Sequence, residues 1–143
     1  MPGVILIRTI VQMRIVADTN ILLAVAMDEP EKPQLIRATQ GAELLSPSVL
    51  PFEIGNALSA LVKKKSINAA QAMAAWDVIG KIQVGLLEVE IRVALALAVR
   101  NGIYAYDGYF LQCAIQSGCP LLTLDQRMRR VARELDVGIV ESI

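Results

Sequence analysis

The chain has 143 residues, 55% of them hydrophobic and 20% charged, a balance that excludes a disordered polypeptide and suits one domain with a sizeable core. Its 14 basic and 14 acidic side chains cancel, so any attraction for nucleic acid must come from a local patch rather than from the whole surface. Histidine is absent, which removes Ser-His-Asp and Cys-His schemes, histidine acid–base chemistry and His-ligated zinc together.

The segment MPGVILIRTIVQ carries a short apolar run without the length or flanks of a signal peptide. Residues 1–12 therefore read as a leader or extension, with Met13 as an alternative start, and residues 13–143 as a single domain. The longest apolar stretch, from Leu86 to Val99, is interrupted by Glu88, Glu90 and Arg92 and falls short of the ~18 uncharged residues of a membrane span. Cys113 and Cys119 have no zinc-like spacing and read as buried thiols in a reducing compartment. A cytoplasmic protein is the expectation.

In chain order, Arg14–Ala17 reads as a short buried strand of a parallel sheet. Residues 20–27 form a helix stopped at Asp28-Glu29-Pro30, and 33–40 a second helix ended by Gly41. A brief strand follows at 43–45. Ser48 is the expected N-cap of a helix running to Lys64, in which Leu50, Ile54, Ala57, Leu58 and Leu61 make one apolar stripe. Ser66 or Asn68 caps a helix over 69–79. Then come a strand at 85–89, a helix at 90–100 closed by Asn101-Gly102, and a helix at 107–116 ended by Gly118. A strand at 120–124, a basic helix at 126–135 and a final short strand at 138–141 complete the chain. This alternation predicts an α/β fold, a single doubly wound domain with a central parallel sheet between layers of helices. The apolar stripes of helices 33–40, 48–64 and 69–79 exceed what one sheet face can cover, which predicts a homodimer or a partner groove on that side.

Asp18 ends the first strand and Asp125 follows the strand LLTL. Asp107 begins one helix and Glu53 lies in the second turn of another. In such sheets ligands collect outside the carboxyl ends of the strands, where the strand order reverses. Each acid alone reads as a helix cap or as dipole complementation. Together on one edge they would repel unless a cation sat among them, and hard divalent ions take carboxylate and water oxygens.

The ordered set Asp18-Thr19-Asn20, Glu53 in an amphipathic helix, Tyr106-Asp107-Gly108-Tyr109 and Leu122-Thr123-Leu124-Asp125 resembles the PIN-domain nucleases, and most of all the VapC-type toxins of type II toxin–antitoxin pairs. The resemblance covers about residues 13–141. It implies a three-layer α/β/α fold and an endoribonuclease dependent on one or two Mg²⁺ or Mn²⁺ ions, with Asp18, Glu53, Asp107 and Asp125 as metal-binding and catalytic acids. It also implies Thr19, Asn20 and Thr123 as supporting polar groups, RNA as substrate and a protein antitoxin as partner. Gly108 departs from the Ala frequent after the third acid, which should loosen that helix start.

Cations for an RNA strand are offered by Lys63 and Lys64 and by Arg127, Arg129, Arg130 and Arg133; the plainer reading is solvated helix faces. Tyr104, Tyr106 and Tyr109 suit base stacking or, more simply, packing. Trp76 reads as a helix–helix contact. Haloacid-dehalogenase-like phosphatases and receiver domains need further acids and a lysine that this chain lacks, and a dinucleotide binder needs a Gly-rich turn where Asp18-Thr19-Asn20 stands. The remaining rival is a non-catalytic RNA-binding or assembly module on the same fold.

Overall fold

The computed structural model describes residues 13–141. Four short strands, β1 (Arg14–Ala17), β2 (Glu43–Pro47), β3 (Val84–Leu87) and β4 (Leu121–Leu122), form one sheet in the order β3-β2-β1-β4, parallel throughout. Seven helices join them: α1 (Thr19–Ala26), α2 (Lys32–Thr39), α3 (Leu50–Lys63), α4 (Ala69–Gly80), α5 (Ile91–Asn101), α6 (Ala105–Ser117) and α7 (Gln126–Glu134). Chain order runs outward from β1 to β3 and then returns to β4 on the other side of β1. The switch point of this doubly wound sheet is thus the gap between β1 and β4.

Strands β1 (from Ile15) and β4 bury both faces, as their apolar runs require, while Leu86 on the edge strand β3 is exposed. Val16, Leu45 and Leu121 point into the larger core with Ile54, Leu58, Phe110 and Met128, while Ile15, Ala17 and Leu122 point into a smaller one with Ile21, Ala24 and Leu35. Successive residues of β1 therefore enter opposite layers, the two-residue period of a strand. The register sets Val16 beside both Leu45 and Leu121. Beyond β1, the Asp18 amide donates to the Leu122 carbonyl at 3.1 Å, which holds the first residue after one strand against the end of the other.

Several boundaries differ from expectation. Helix α3 starts at Leu50 with Val49 as N-cap, and Ser48 makes no capping bond, because Pro51 can occupy the first turn without an amide and so fixes the start one residue late. Glu53 accordingly sits in the first turn. Strand β4 spans only Leu121–Leu122, and the expected last strand is a single parallel bridge between Leu121 and Ile139. Asn68 caps α4 with a reciprocal Gln71 box, whereas Ser66 does not. Trp76 is 41% exposed rather than sealed between helices. With Pro51, Gly55, Leu58 and Met73 it lines an apolar groove of about 370 Å³ between α3 and α4. Phe52 stands 76% exposed on α3. The expectation for residues 1–12 lies outside the described residues. Among the described residues no helix is long and apolar enough to cross a membrane.

Gly108 loosens nothing. A Cβ there would lie 2.7 Å from the Ala94 carbonyl oxygen and 3.0 Å from Ala98 Cβ, so the missing side chain lets α6 press directly against α5. Gly108→Ala should destabilise the protein by about 1–3 kcal/mol through overpacking, more than alanine's better helix propensity returns. Urea denaturation checks this, and an unchanged midpoint would show that α5 and α6 can separate freely.

Candidate metal centre at the carboxyl edge

Asp18 is the N-cap of α1 and Asp125 the N-cap of α7, so the capping reading of both residues is correct. It does not exhaust them. The Asp18 side chain is buried, accepting from the Thr19 amide through Oδ1 and from the Thr123 hydroxyl through Oδ2, both at 2.8 Å. Thr123 Oγ1 in turn accepts from the Asp125 amide at 3.1 Å. The hydroxyl proton thus has one direction, toward Asp18, and the two strand ends are tied through a single threonine. Asp125 receives the Arg127 and Met128 amides on the same oxygen, Oδ1, at 2.8 and 3.2 Å.

Glu53 and Asp107 enter from the first turns of α3 and α6. Burial is the main force on the titration of these acids, and their neighbours add to it. The Asp18 carboxyl is pushed up to about 6 by desolvation, against the lowering effect of the Thr123 and Thr19 hydrogen bonds, with Asp107 and Asp125 raising it further. Glu53 is pushed up to about 7 by desolvation and then by the charge of Asp18. Asp107 is also raised, by desolvation and by Asp125, with Arg127 opposing. The four acids therefore feel one another across the switch-point gap. Thr19 Oγ1 lies close enough to Glu53 to favour its charged form, yet without the alignment of a hydrogen bond. Both Thr19 Oγ1 and Glu53 Oε2 are buried with no partner.

Among the described residues, no three acids or cysteines already converge on a common point at which a metal could be held. The expectation of a preassembled quartet is corrected to that extent. Uncompensated carboxylates gain by turning apart, and two of these are also engaged as caps. The donor chemistry nevertheless fits a hard divalent ion. The buried Glu53 oxygen, unpartnered among the described residues, is what such an ion would satisfy.

The other expected groups divide. Thr19 and Thr123 are buried at the centre of the network, while Asn20 is exposed in the first turn of α1. Arg129 is not a surface cation: it is 5% exposed, and its Nε donates to the Thr123 carbonyl at 3.1 Å. It clamps the turn that carries Thr123 and Asp125, and as an RNA contact it is withdrawn. Arg127 is exposed, beside Asp107, and donates to the Gly102 carbonyl; Arg130 is exposed as well. Lys63 and Lys64 are exposed at the far end of α3, about 15 Å along its axis from Glu53, and do not join the acids. Ser46 was missed. Its buried hydroxyl donates to the Ala17 carbonyl at 2.7 Å and steadies β1 just before Asp18. The signal for Arg129 is its place between Met128 and Ala132 on α7, although spacing alone does not fix where its side chain turns.

A pH dependence follows from the raised carboxyls. A group that binds its proton more tightly when folded stabilises the protein at low pH, and that contribution is lost as pH rises from the unfolded to the folded value. For Asp18 and Glu53 the window runs from 3.8 and 4.5 up to about 6 and about 7. Melting temperature in EDTA should therefore fall between pH 4.5 and 7, and saturating Mn²⁺ should abolish the fall. A metal-free melting curve that rises across that range would contradict it.

A parallel sheet with one buried and three half-buried carboxylates along its switch-point edge defines an α/β protein with an acidic crevice. The PIN domain profile matches residues 15–134, a span that includes all four acids, and the chain belongs to the PIN-domain family. It is similar to Ribonuclease VapC3 of Pyrobaculum aerophilum, at 26% identity over 121 residues, covering 81% of this chain and 92% of that protein. The fold matches the crystal structure of PAE2754 from Pyrobaculum aerophilum with a TM-score of 0.63 at 24% identity, over 83% of this chain and 79% of the other. It matches equally, at 0.63 and 14% identity, the VapBC2 complex of Rickettsia felis bound to a DNA fragment from its promoter, over 89% of this chain and 97% of that one.

Proposed function

We propose that this protein is an endoribonuclease that hydrolyses phosphodiester bonds with Mg²⁺ or Mn²⁺ held in the acidic crevice, and that it acts in the cytoplasm as the toxin of a toxin–antitoxin pair. The observation that carries the reading is one buried oxygen of the half-buried Glu53 carboxylate, without a donor among the described residues, beside the buried Asp18. Burial strips that oxygen of water, and among the described residues no hydrogen bond replaces it. A structural cap has no use for that arrangement. Membership of the PIN-domain family and the likeness to a ribonuclease support the same reading.

The bound ion would lower the pKa of a coordinated water, orient it and neutralise charge on the phosphate. Asp18, Asp107 and Asp125 would hold it. Rotation of Asp107 and of the free oxygen of Asp125 would complete what the structure leaves unconverged. Thr123 keeps Asp18 turned toward the crevice, and Arg129 keeps Thr123 in place. Glu53, with its carboxyl raised to about 7, is suited to take a proton from the attacking water near neutral pH. Arg127 and Arg130 are the exposed cations nearest to Asp125 in the chain and would meet the flanking phosphates. Residues 13–143 would make up this catalytic unit.

An antitoxin would cover the crevice and seat apolar side chains in the groove between α3 and α4. The exposed Phe52, Met73 and Trp76 favour an occupant there, with a second copy of this chain as the competing one. Incubation of the purified protein with total RNA, with and without Mn²⁺, tests the proposal. Metal-dependent fragments with defined ends are expected. A stable RNA complex without product would instead favour the non-catalytic binding module.

A further inference from the structure

The carboxyl edge of the sheet continues past the acids into a second cleft, of about 350 Å³, within the range of small-ligand pockets. Its walls are the start of α6, which carries Asp107, the first residue of α5 and the turns that follow β2 and β3. Val49 is the N-cap of α3, one turn before Glu53, and Tyr106 and Tyr109 flank Asp107 on α6. Ser48 and Glu88 directly follow β2 and β3, on the edge that also presents Asp18 and Asp125.

The two tyrosines are not spent on packing. Their rings meet edge-on, with centroids 5.8 Å apart at 85°, so half-buried Tyr109 steadies Tyr106. Tyr106 nevertheless remains 46% exposed. Val49 and Ile91 extend the apolar lining, and Ser48 and Glu88 are its polar members. Among the described residues no cation lines the cleft. A phosphate would meet a carboxylate there and be repelled. A neutral planar ring would find an aromatic wall, apolar sides and acceptors for the N–H groups on its edge.

We propose that this cleft is a nucleobase subsite, in which one unpaired base of an RNA strand stacks against Tyr106 and turns its donor-bearing edge to Ser48 and Glu88 while the strand's backbone crosses the acidic crevice. Stacking on an exposed aromatic ring tolerates any base, and a carboxylate at the rim favours those with amino or imino hydrogens. The proposal rests on the nuclease reading for the course of the strand but not for the contact itself.

The test is equilibrium binding of a fluorescent single-stranded RNA of about ten nucleotides, followed by anisotropy in EDTA at low salt, where no turnover occurs. Tyr106→Ala should weaken binding by about five- to a hundredfold, the usual range for loss of one stacked base, and Tyr106→Phe should stay within about twofold of wild type. Replacing one nucleotide of the probe by an abasic residue should weaken binding to the wild type and leave Tyr106→Ala indifferent. Matching melting temperatures of the two variants separate this effect from damage to the fold. Equal affinity of Tyr106→Ala and wild type, an abasic penalty of the same size in both, or no RNA binding by the wild type would each overturn the subsite. A wild type that shows the tyrosine effect but yields no product in Mn²⁺ would keep the subsite and remove the nuclease. Cleavage without any Tyr106 effect would do the reverse.

Discussion

Asp18→Asn is expected to reduce Mn²⁺-dependent RNA cleavage by about a hundredfold or more and to remove most of the stabilisation that Mn²⁺ gives the wild type. The reasoning begins with the two jobs of the residue. As N-cap of α1, Asp18 needs an acceptor for the Thr19 amide, and asparagine supplies one. As a buried anion, it carries a desolvation penalty and repels Glu53, Asp107 and Asp125, all of which the neutral amide removes. The change therefore keeps the cap and deletes the charge, but it turns an amide donor toward the Thr123 hydroxyl, whose proton loses its acceptor. Without that charge the proposed site would lose a direct ligand, a larger defect than the 10- to 100-fold typical of removing a supporting hydrogen bond around a metal. Differential scanning calorimetry in EDTA and again in Mn²⁺ reads both halves. The wild type should gain stability with added Mn²⁺ and the variant should gain little. A variant that melts well below wild type in EDTA yet is still protected by Mn²⁺ would show that Asp18 serves the fold and not the ion.

Thr123→Val is expected to have the second largest effect, and of a different kind. Valine matches threonine in shape, so the packing of the β4–α7 turn survives. What disappears is a buried hydroxyl that donates to Asp18 Oδ2 and accepts from the Asp125 amide. A hydrogen bond to a charged group is worth about 1.5–3 kcal/mol, and here the loss also leaves the Asp125 amide without its partner. Destabilisation of that order should appear in urea at neutral pH. The loss should shrink as pH falls and Asp18 is protonated, because its carboxyl already titrates near 6. Metal affinity should drop about 10- to 100-fold as Asp18 loses its orientation. Thr123→Ser, which restores the hydroxyl, should recover most of the affinity. Equal Mn²⁺ affinity in Thr123→Val and wild type would show that Asp18 is positioned by its backbone alone.

The elements of this fold were legible because the chain marks them locally. Unbroken apolar runs such as Ile15-Val16-Ala17, the stripe Leu50, Ile54, Leu58 and the glycines after α5 and α6 announce strands, a buried helix face and helix ends without tertiary information. The last strand shrank to a bridge at Ile139, since pairing at a sheet edge depends on a neighbour that the local sequence does not specify. The placement of the acids followed from topology, because residues just after parallel strands and in the first turns of the next helices share one edge. Their detailed arrangement did not follow. Whether Asp125 spends one oxygen on two amides, or Arg129 turns inward to a carbonyl, depends on side-chain directions that residue spacing leaves open. Gly108 shows the same limit. Spacing reads it as a weak helix start, and only the approach of Ala94 explains why nothing larger fits.

The central claim is that buried acids at the β1–β4 gap form a divalent-cation site. Crystals of the protein soaked in Mn²⁺ and measured at the manganese absorption edge test it most directly. An anomalous peak within coordination distance of Asp18 and Asp125, with Asp107 swung toward it, is the expected result. Anomalous density confined to exposed carboxylates elsewhere, with Asp18 and Glu53 unmoved at full Mn²⁺ occupancy, would contradict the account.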